Sequence, residues 1–120
     1  MPETDSSCIY KICDRADWQK SADDGVFHGT SLDVRDGFIH FSDLTQLHAT
    51  AGKHFAGKDN LIVLEVEVKA LQQSALKWET SRGGAVFPHL YAPLSVDQVR
   101  RHWPLPLVGG QHCFPEELKL

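Results

Sequence analysis

Two short stretches of the chain carry the residues best suited to chemistry. Each places a histidine between an aromatic ring and a hydroxyl at every second position. The residues are Phe38, His40 and Ser42 in the first stretch, and Phe87, His89 and Tyr91 in the second. On β-strands such residues share one face. If the two faces meet, they form a pocket with aromatic walls for a planar ring and two imidazoles for phosphate binding or proton transfer. The alternative is that the rings are core residues and the histidines bond to backbone carbonyls.

The first histidine stands where a predicted strand gives way to a predicted helix. Asp43 and Gln46 have the spacing of a capping box, which predicts that a helix begins there and ends near Gly57. Its apolar stripe consists of Leu44, Leu47, Ala51 and Phe55. Free amides at the start of this helix favour a bound anion such as phosphate near His40.

The first part of the chain predicts further strands. CIYKIC (residues 8–13) alternates as an interior strand, in which Lys11 either reaches solvent or serves an anion in a cleft. A short helix follows up to Gly25, then a brief strand at 26–28 and a loop. NLIVLEVEV predicts a central strand with Glu65 and Glu67 facing outward.

The second part predicts a hairpin that carries His89. One strand ends at Glu79, and the following turn contains Arg82 in a glycine-rich loop that is either a plain hairpin turn or an amide-lined anion nest. Pro88 predicts that the next strand lies at an edge or beside a bulge. A short helix opened by Ser95 and a hairpin around residues 109–110 follow.

Length and composition indicate one domain. The chain has 120 residues, 42% of them hydrophobic, which predicts a disordered tail at 1–7, a single domain at 8–115 and a frayed end at 116–120. A formal charge of −4 with scattered cations argues against a DNA duplex or a membrane surface as partner, but leaves a nucleotide or a single RNA end open. The polar start, the absence of a long apolar run and three cysteines expected to be reduced predict a cytoplasmic protein of unknown oligomeric state.

Common catalytic motifs are missing from the sequence. Seven histidines invite a metal interpretation, but HExxH and CxxC do not occur. A metal site assembled in three dimensions from His40, His89 and Glu79 remains an alternative. GxSxG, the Walker loop and GxGxxG are also absent, which argues against the corresponding hydrolases, kinases and Rossmann enzymes.

Several segments together resemble a bacterial family known as domain of unknown function 952. They are IYKI, the loop ending in SL, GFIHFS with QLHATAGKHF, LIVLEVEV, LKWE and FPHLYAPL. The resemblance covers nearly the whole chain. It implies an α+β protein of ADP-ribosylation-like fold, with two small, roughly orthogonal sheets, flanking helices and NAD bound between the sheets.

The same resemblance implies roles for site residues. The superfamily commonly uses a histidine on the ribose, a tyrosine stacked on nicotinamide and a glutamate that promotes nicotinamide loss. By motif, Lys11 falls at the first position and His40 at the second. The third falls near FPHLY, where His89 or Glu79 would have to replace the glutamate.

The resulting expectation is an ADP-ribosyltransferase-like protein that binds NAD, ADP-ribose or a related nucleotide or phosphate metabolite, with transferase or acid–base activity on it. No cofactor is firmly indicated, and NAD is expected as a substrate. The candidate catalytic residues are His40, His89 and Glu79, and the candidate ligand-binding residues are Lys11, Phe38, Ser42, Arg82, Phe87 and Tyr91. The alternatives are a non-catalytic binding or partner-interaction module and a metal-assisted hydrolase.

Overall fold

The structure, a computed structural model, describes residues 7–81 and 83–119. It is an α+β fold of small antiparallel sheets with few helices. The helices are α1 (Arg15–Asp24), α2 (Ser31–Asp36) and α3 (Leu44–His54). The strands are β1 (Cys8–Asp14), β2 (Val26–Phe27), β3 (Ile39–His40), β4 (Leu61–Glu67), β5 (Leu76–Thr80), β6 (Val86–Leu90), β7 (Leu94–Ser95), β8 (Val99–Leu105), β9 (Leu107–Val108) and β10 (Gln111–His112). Short 3₁₀ turns lie at Val68–Ala70, Gln73–Ala75, Val96–Gln98 and Glu116–Leu118.

One three-stranded sheet has the order β1-β4-β8, with β4 in the centre as predicted. Because side chains alternate along β1, Ile9 and Cys13 enter one buried cluster while Tyr10 and Ile12 enter another on the opposite face. The second cluster is closed by α3. Both faces of this sheet are therefore covered.

The prediction that Glu65 faces outward is wrong. Its side chain is buried among the residues of the second cluster. The carboxylate accepts hydrogen bonds from the Tyr10 hydroxyl at 3.1 Å and from Nε of Arg101 at 2.8 Å. Burial of this charge is tolerated because both oxygens have donors.

A second three-stranded sheet has the order β3-β6-β5 and packs against the first. Ile39 and Leu90 are cross-strand partners that face the shared core. β6 lies in the centre of this sheet, and its pairings with β3 and β5 have no register shift among the described residues, so the prediction from Pro88 of a strand at an edge or beside a bulge is wrong. The carbonyl of Pro88 accepts a hydrogen bond from the Phe41 amide at 3.0 Å. In an antiparallel pair the amide and the carbonyl of one residue point to the same side, so the amide hydrogen that proline lacks would also point toward the β3 side. It would do so just after His40, where β3 has ended.

The two larger sheets are joined by an isolated bridge between Tyr10 and Ser42. The amide of each residue donates to the carbonyl of the other, at 2.7 and 2.8 Å. This bridge places the start of α3 beside β1. The remaining strands form two two-stranded sheets, β2-β7 and β9-β10. The described residues therefore contain four sheets, where two were expected.

Helix α2 replaces a segment predicted as a loop. Thr30 caps it, since the Thr30 hydroxyl accepts from the Asp33 amide while the Asp33 carboxylate accepts from the Thr30 amide. The reciprocal capping predicted between Asp43 and Gln46 is confirmed at α3, although α3 ends at His54, with Phe55 as its C-cap residue, rather than near Gly57.

The end of the chain, predicted to be frayed at 116–120, is anchored in the core by Leu118, while residues 116, 117 and 119 are exposed. Leu118 is fully buried, and its carbonyl lies 2.8 Å from Nε2 of His48. The predicted tail at 1–7 lies outside the described residues except for Ser7, whose carbonyl accepts from the Val68 amide at 3.1 Å. The cysteines at 8, 13 and 113 are free thiols. Among the described residues, none of the helices is long and apolar enough to cross a membrane.

Candidate functional site

The structure places the two histidines side by side on neighbouring strands. His40 of β3 and His89 of β6 are cross-strand partners, and their ring centroids are 5.4 Å apart. They occupy the face of the second sheet that points away from the core residues Ile39 and Leu90. The geometry differs from the expected hollow between two ribbons, because both imidazoles belong to one sheet.

Phe38 covers this pair. Its ring is stacked on His89 with centroids 4.2 Å apart, and it lies 4.5 Å from His40 and 5.0 Å from Tyr91. Phe38 is partly exposed, so it forms the outer layer of the cluster.

Each nitrogen of the His40 ring faces a carboxylate. Nδ1 lies 2.6 Å from Oδ1 of Asp33, and Nε2 lies 3.0 Å from Oδ2 of Asp36. A carboxylate accepts hydrogen bonds and donates none, so the doubly protonated ring satisfies both contacts. The His40 side chain is 31% exposed, on the Asp36 side of the ring rather than the buried Asp33 side.

Asp33 is the buried hub of the site. Its side chain is inaccessible to solvent, and Lys11 Nζ lies 3.0 Å from Oδ1 and 2.8 Å from Oδ2. The amides of Thr30 and His40 also donate to it, at 2.8 and 3.1 Å. Burial opposes ionisation, but the His40 hydrogen bond and the Lys11 charge outweigh it and hold the pKa of Asp33 well below its usual range.

Lys11 serves this internal carboxylate. Its ammonium is buried and donates to the carbonyl of His40 at 2.9 Å as well as to Asp33. Burial lowers the pKa of Lys11, and the Asp33 charge opposes that shift. Lys11 therefore reaches neither solvent nor an open cleft, and its contribution to the site is to fix Asp33 and the backbone of His40.

A second carboxylate–histidine pair lies next to the first. Oε1 of Glu79 is 2.7 Å from Nδ1 of His89 and accepts from the Tyr91 hydroxyl at 2.7 Å. The His89 and Tyr91 hydrogen bonds lower the pKa of Glu79, and the bond to Glu79 raises the pKa of Tyr91. Glu79 is 38% exposed, whereas the His89 side chain is only 9% exposed. The hairpin of β5 and β6 brings these residues together.

One predicted ligand-binding residue stands apart from this cluster. Ser42 is buried and hydrogen-bonds to the Thr50 hydroxyl at 2.9 Å, because the chain turns toward β1 after His40. Phe87 is the cross-strand partner of Glu79 and lies on the same face, partly exposed, but within the described residues it has no ring contact with either histidine. Arg82 lies outside the described residues.

A cavity of about 250 Å³ adjoins the aromatic side of the cluster. Asp33, Phe38 and Tyr91 line it, while neither imidazole does. Exposed charges nearby include those of Asp36, Glu79 and Lys77, the cross-strand partner of His89. Asp36 is itself paired with the exposed Arg35, whose Nε lies 3.1 Å from Oδ1. In residues 7–81 and 83–119 no group of three or more His, Cys, Asp or Glu side chains is arranged to hold a metal ion.

Sequence reasoning missed Asp33, Asp36 and Lys77. The spacing of Thr30 and Asp33 is that of a capping box and predicts the start of a helix. That signal places Asp33 at a helix start, but the contact with Lys11 requires the packing of the two sheets, which no local pattern predicts.

These features define an α+β protein whose candidate site is a pair of histidine–carboxylate dyads on one face of an antiparallel sheet. The chain belongs to the family described as "Protein of unknown function (DUF952)", whose model matches residues 12–102.

Solved structures of a Caulobacter crescentus protein, CC0527, are similar to this chain. Its X-ray crystal structure is 46% identical, covers 94% of this chain and 99% of that one, and has a TM-score of 0.87. Its solution NMR structure is 48% identical, covers 88% and 90% of the two chains, and has a TM-score of 0.79. No curated protein matches the chain.

Proposed function

We propose that the protein binds NAD or a related ADP-ribose nucleotide at the dyad face, and that Glu79 promotes the loss of nicotinamide. This proposal includes an ADP-ribosyltransferase-like relationship for the family. The observation that carries it is the Glu79 carboxylate, held by His89 and Tyr91 beside an open aromatic surface. His40, carried by the adjacent dyad, lines the same face.

Glu79 supplies the group that the FPHLY segment lacks. Cleavage of the bond between ribose C1′ and nicotinamide passes through an oxocarbenium-like state, which a nearby carboxylate stabilises. Two hydrogen bonds to Oε1 keep Glu79 ionised, and within the described residues Oε2 has no hydrogen-bond partner. A ribose hydroxyl is a suitable donor to Oε2.

The aromatic surface and the local charge suit the nicotinamide end of NAD. A planar cationic ring is attracted both by the faces of Phe38 and Tyr91 and by the Glu79 carboxylate that accepts from Tyr91. The cavity of about 250 Å³ has room for one ring rather than a whole dinucleotide. Lys77, exposed on the same face as His89, is a candidate contact for the phosphates.

The reaction requires no group beyond the nucleotide and a hydroxyl. The C1′–N bond breaks, its electron pair leaves with nicotinamide, and the oxygen of water or an alcohol bonds to C1′ with loss of its proton. Glu79 balances the positive charge that develops on the ribose.

A second candidate function is binding of the same nucleotide without turnover. The burial of His89 beneath Phe38 favours it, because a group with so little exposure is hard for a substrate to reach. In this case NAD and ADP-ribose stabilise the fold equally and nicotinamide is not released.

The test is nicotinamide release from NAD at high protein concentration, with thermal shifts measured for NAD, ADP-ribose and AMP. We expect Glu79→Gln to lower turnover by about 100-fold, as is typical when one electrostatic contact to a transition state is lost. Glu116→Gln, at an exposed glutamate whose only ion pair among the described residues is with Lys119, is the matched control.

The outcomes separate the candidates. Stabilisation by nucleotides without nicotinamide release supports the second function. No shift with any nucleotide overturns both, and turnover abolished by a chelator points to the metal-assisted alternative.

A further inference from the structure

One nitrogen of the site is buried without a partner. Nδ1 of His89 contacts Glu79, but within residues 7–81 and 83–119 Nε2 of His89 has no hydrogen bond. The side chain is 91% buried, and buried polar atoms in folded proteins almost always have a partner. An unpaired nitrogen at this depth indicates that a hydrogen-bonding group belongs there.

The contact with Glu79 fixes the orientation of the ring. An ionised carboxylate only accepts, so Nδ1 carries the hydrogen of this bond. In the neutral ring, Nε2 then presents a bare lone pair. Such an atom accepts a hydrogen bond and, in a reaction, a proton.

The neighbouring histidine lacks this property. Nε2 of His40 is occupied by Asp36 at 3.0 Å, and Nδ1 of His40 by Asp33. The two imidazoles are thus unequal, since His40 has a carboxylate at each nitrogen and His89 at only one. His89 is therefore the ring with an acceptor available to a ligand.

Phe38 controls access to this acceptor. The Phe38 ring is stacked on the His89 ring, with centroids 4.2 Å apart, and it also contacts the rings of His40 and Tyr91. Phe38 directly follows Gly37, whose φ of 88° marks a sharp local turn at the end of α2. Phe38 lies outside the paired residues of β3, so the backbone hydrogen bonds of the strand pair do not depend on the position of its side chain.

We infer that Nε2 of His89 is the acceptor for a ligand hydroxyl, and that Phe38 is the cover which the ligand displaces. The inference rests on the proposed function for the identity of that hydroxyl, which is the attacking water or alcohol. As its oxygen bonds to C1′, its proton passes to Nε2 while the electron pair of the C1′–N bond leaves with nicotinamide.

Two measurements on the free protein test the acceptor directly. Nitrogen-15 NMR of the histidine rings, at a pH where the His89 ring is neutral, is expected to show hydrogen on Nδ1 and none on Nε2. Diethylpyrocarbonate acylates bare imidazole nitrogens, and peptide mapping reports the rate at His89. We expect slow acylation in the native protein and a severalfold faster rate in Phe38→Ala and in the milder Phe38→Leu.

Phe114→Ala is the matched control, since it removes a ring of the same size that stacks on a different histidine, His48, at 3.9 Å and makes no ring contact with His89 among the described residues. Hydrogen on Nε2 in the neutral ring, or equal acylation rates in native protein and both Phe38 variants, overturns the inference. An unfolded Phe38→Ala leaves the NMR result and Phe38→Leu to decide.

Turnover distinguishes the two hydroxyl sources and the two proposals. Added methanol is expected to divert product from ADP-ribose to its methyl riboside if alcohols reach Nε2, and unchanged ADP-ribose identifies water as the ligand. If nicotinamide is not released, while NMR shows no hydrogen on Nε2 of His89 and the Phe38 variants acylate faster there, only the proposed function is overturned. Release that survives His89→Gln undiminished overturns the present inference alone.

Discussion

Nδ1 of His40 lies 2.6 Å from Oδ1 of Asp33, a carboxylate whose side chain has no exposure to solvent. This contact connects α2 to β3, and Lys11 connects the same carboxylate to β1. Three elements, of which β1 is distant in sequence from the other two, therefore meet at one charged group. The position of the His40 ring depends on this buried ion pair as much as on its own strand.

Asp33→Asn is expected to destabilise the fold strongly. It removes the charge that compensates the buried Lys11 ammonium, and breaking a buried pair in this way costs about 3–5 kcal/mol. Asp36→Asn, which loses a contact to the same histidine at a partly exposed position, is the matched control and should cost at most about 1 kcal/mol. Chemical denaturation measures both, and equal losses would show that Asp33 has no special role.

The same carboxylate predicts a dependence of stability on acid. The pKa of Asp33 is lower in the folded chain than its ordinary value of 3.8. Its contribution to the free energy of unfolding is therefore complete above pH 3.8 and declines as the pH falls toward the folded pKa. Native protein should lose stability more steeply than Asp33→Asn on titration below pH 4. If the stabilities of the two proteins fell with equal slope below pH 4, Asp33 would not be the source of the acid dependence.

Gly29→Ala should damage the site from outside it. Gly29 has a φ of 103°, and a Cβ there would lie 2.6 Å from Cβ of Asp33, which cannot move freely because it is attached to the backbone of α2. We expect a loss of stability above the roughly 1 kcal/mol of left-handed strain alone, together with shifted His40 NMR signals. Gly57→Ala is the control, since its φ is 76° but nothing lies within 4 Å. It should lose stability without moving the His40 signals.

The sequence predicted the elements with strong local signals. The alternation of β1, the apolar run of β4 and the reciprocal capping of α3 by Asp43 and Gln46 are all present. Each depends on neighbours within four residues. The pairing of Phe38 and His40 on one face also follows from two-residue alternation alone.

The failures concern contacts between distant segments. Glu65 alternates as an outward residue, yet Arg101 and Tyr10 supply donors that allow its burial. Pro88 lacks an amide hydrogen and so suggests an edge strand, but β3 pairs with β6 only at Ile39 and His40 and ends before it would need a hydrogen bond from Pro88. Lys11 and Asp33 are 22 residues apart, and neither has a local pattern that identifies the other as its partner. The site could thus be located approximately, but its buried ion pair could not.

Leu118→Ala tests whether the end of the chain is part of the core. Leu118 is fully buried in the cluster that contains Leu47 and Ala51 of α3, whereas its sequence context predicted fraying. Truncating a buried leucine leaves a cavity and costs about 2–5 kcal/mol. Leu32→Ala, at a leucine that is 43% exposed, is the matched control and should change the free energy of unfolding by less than about 1 kcal/mol. Thermal and chemical denaturation compare the two, and a Leu118 variant as stable as the control would show that the last turn is not packed in solution.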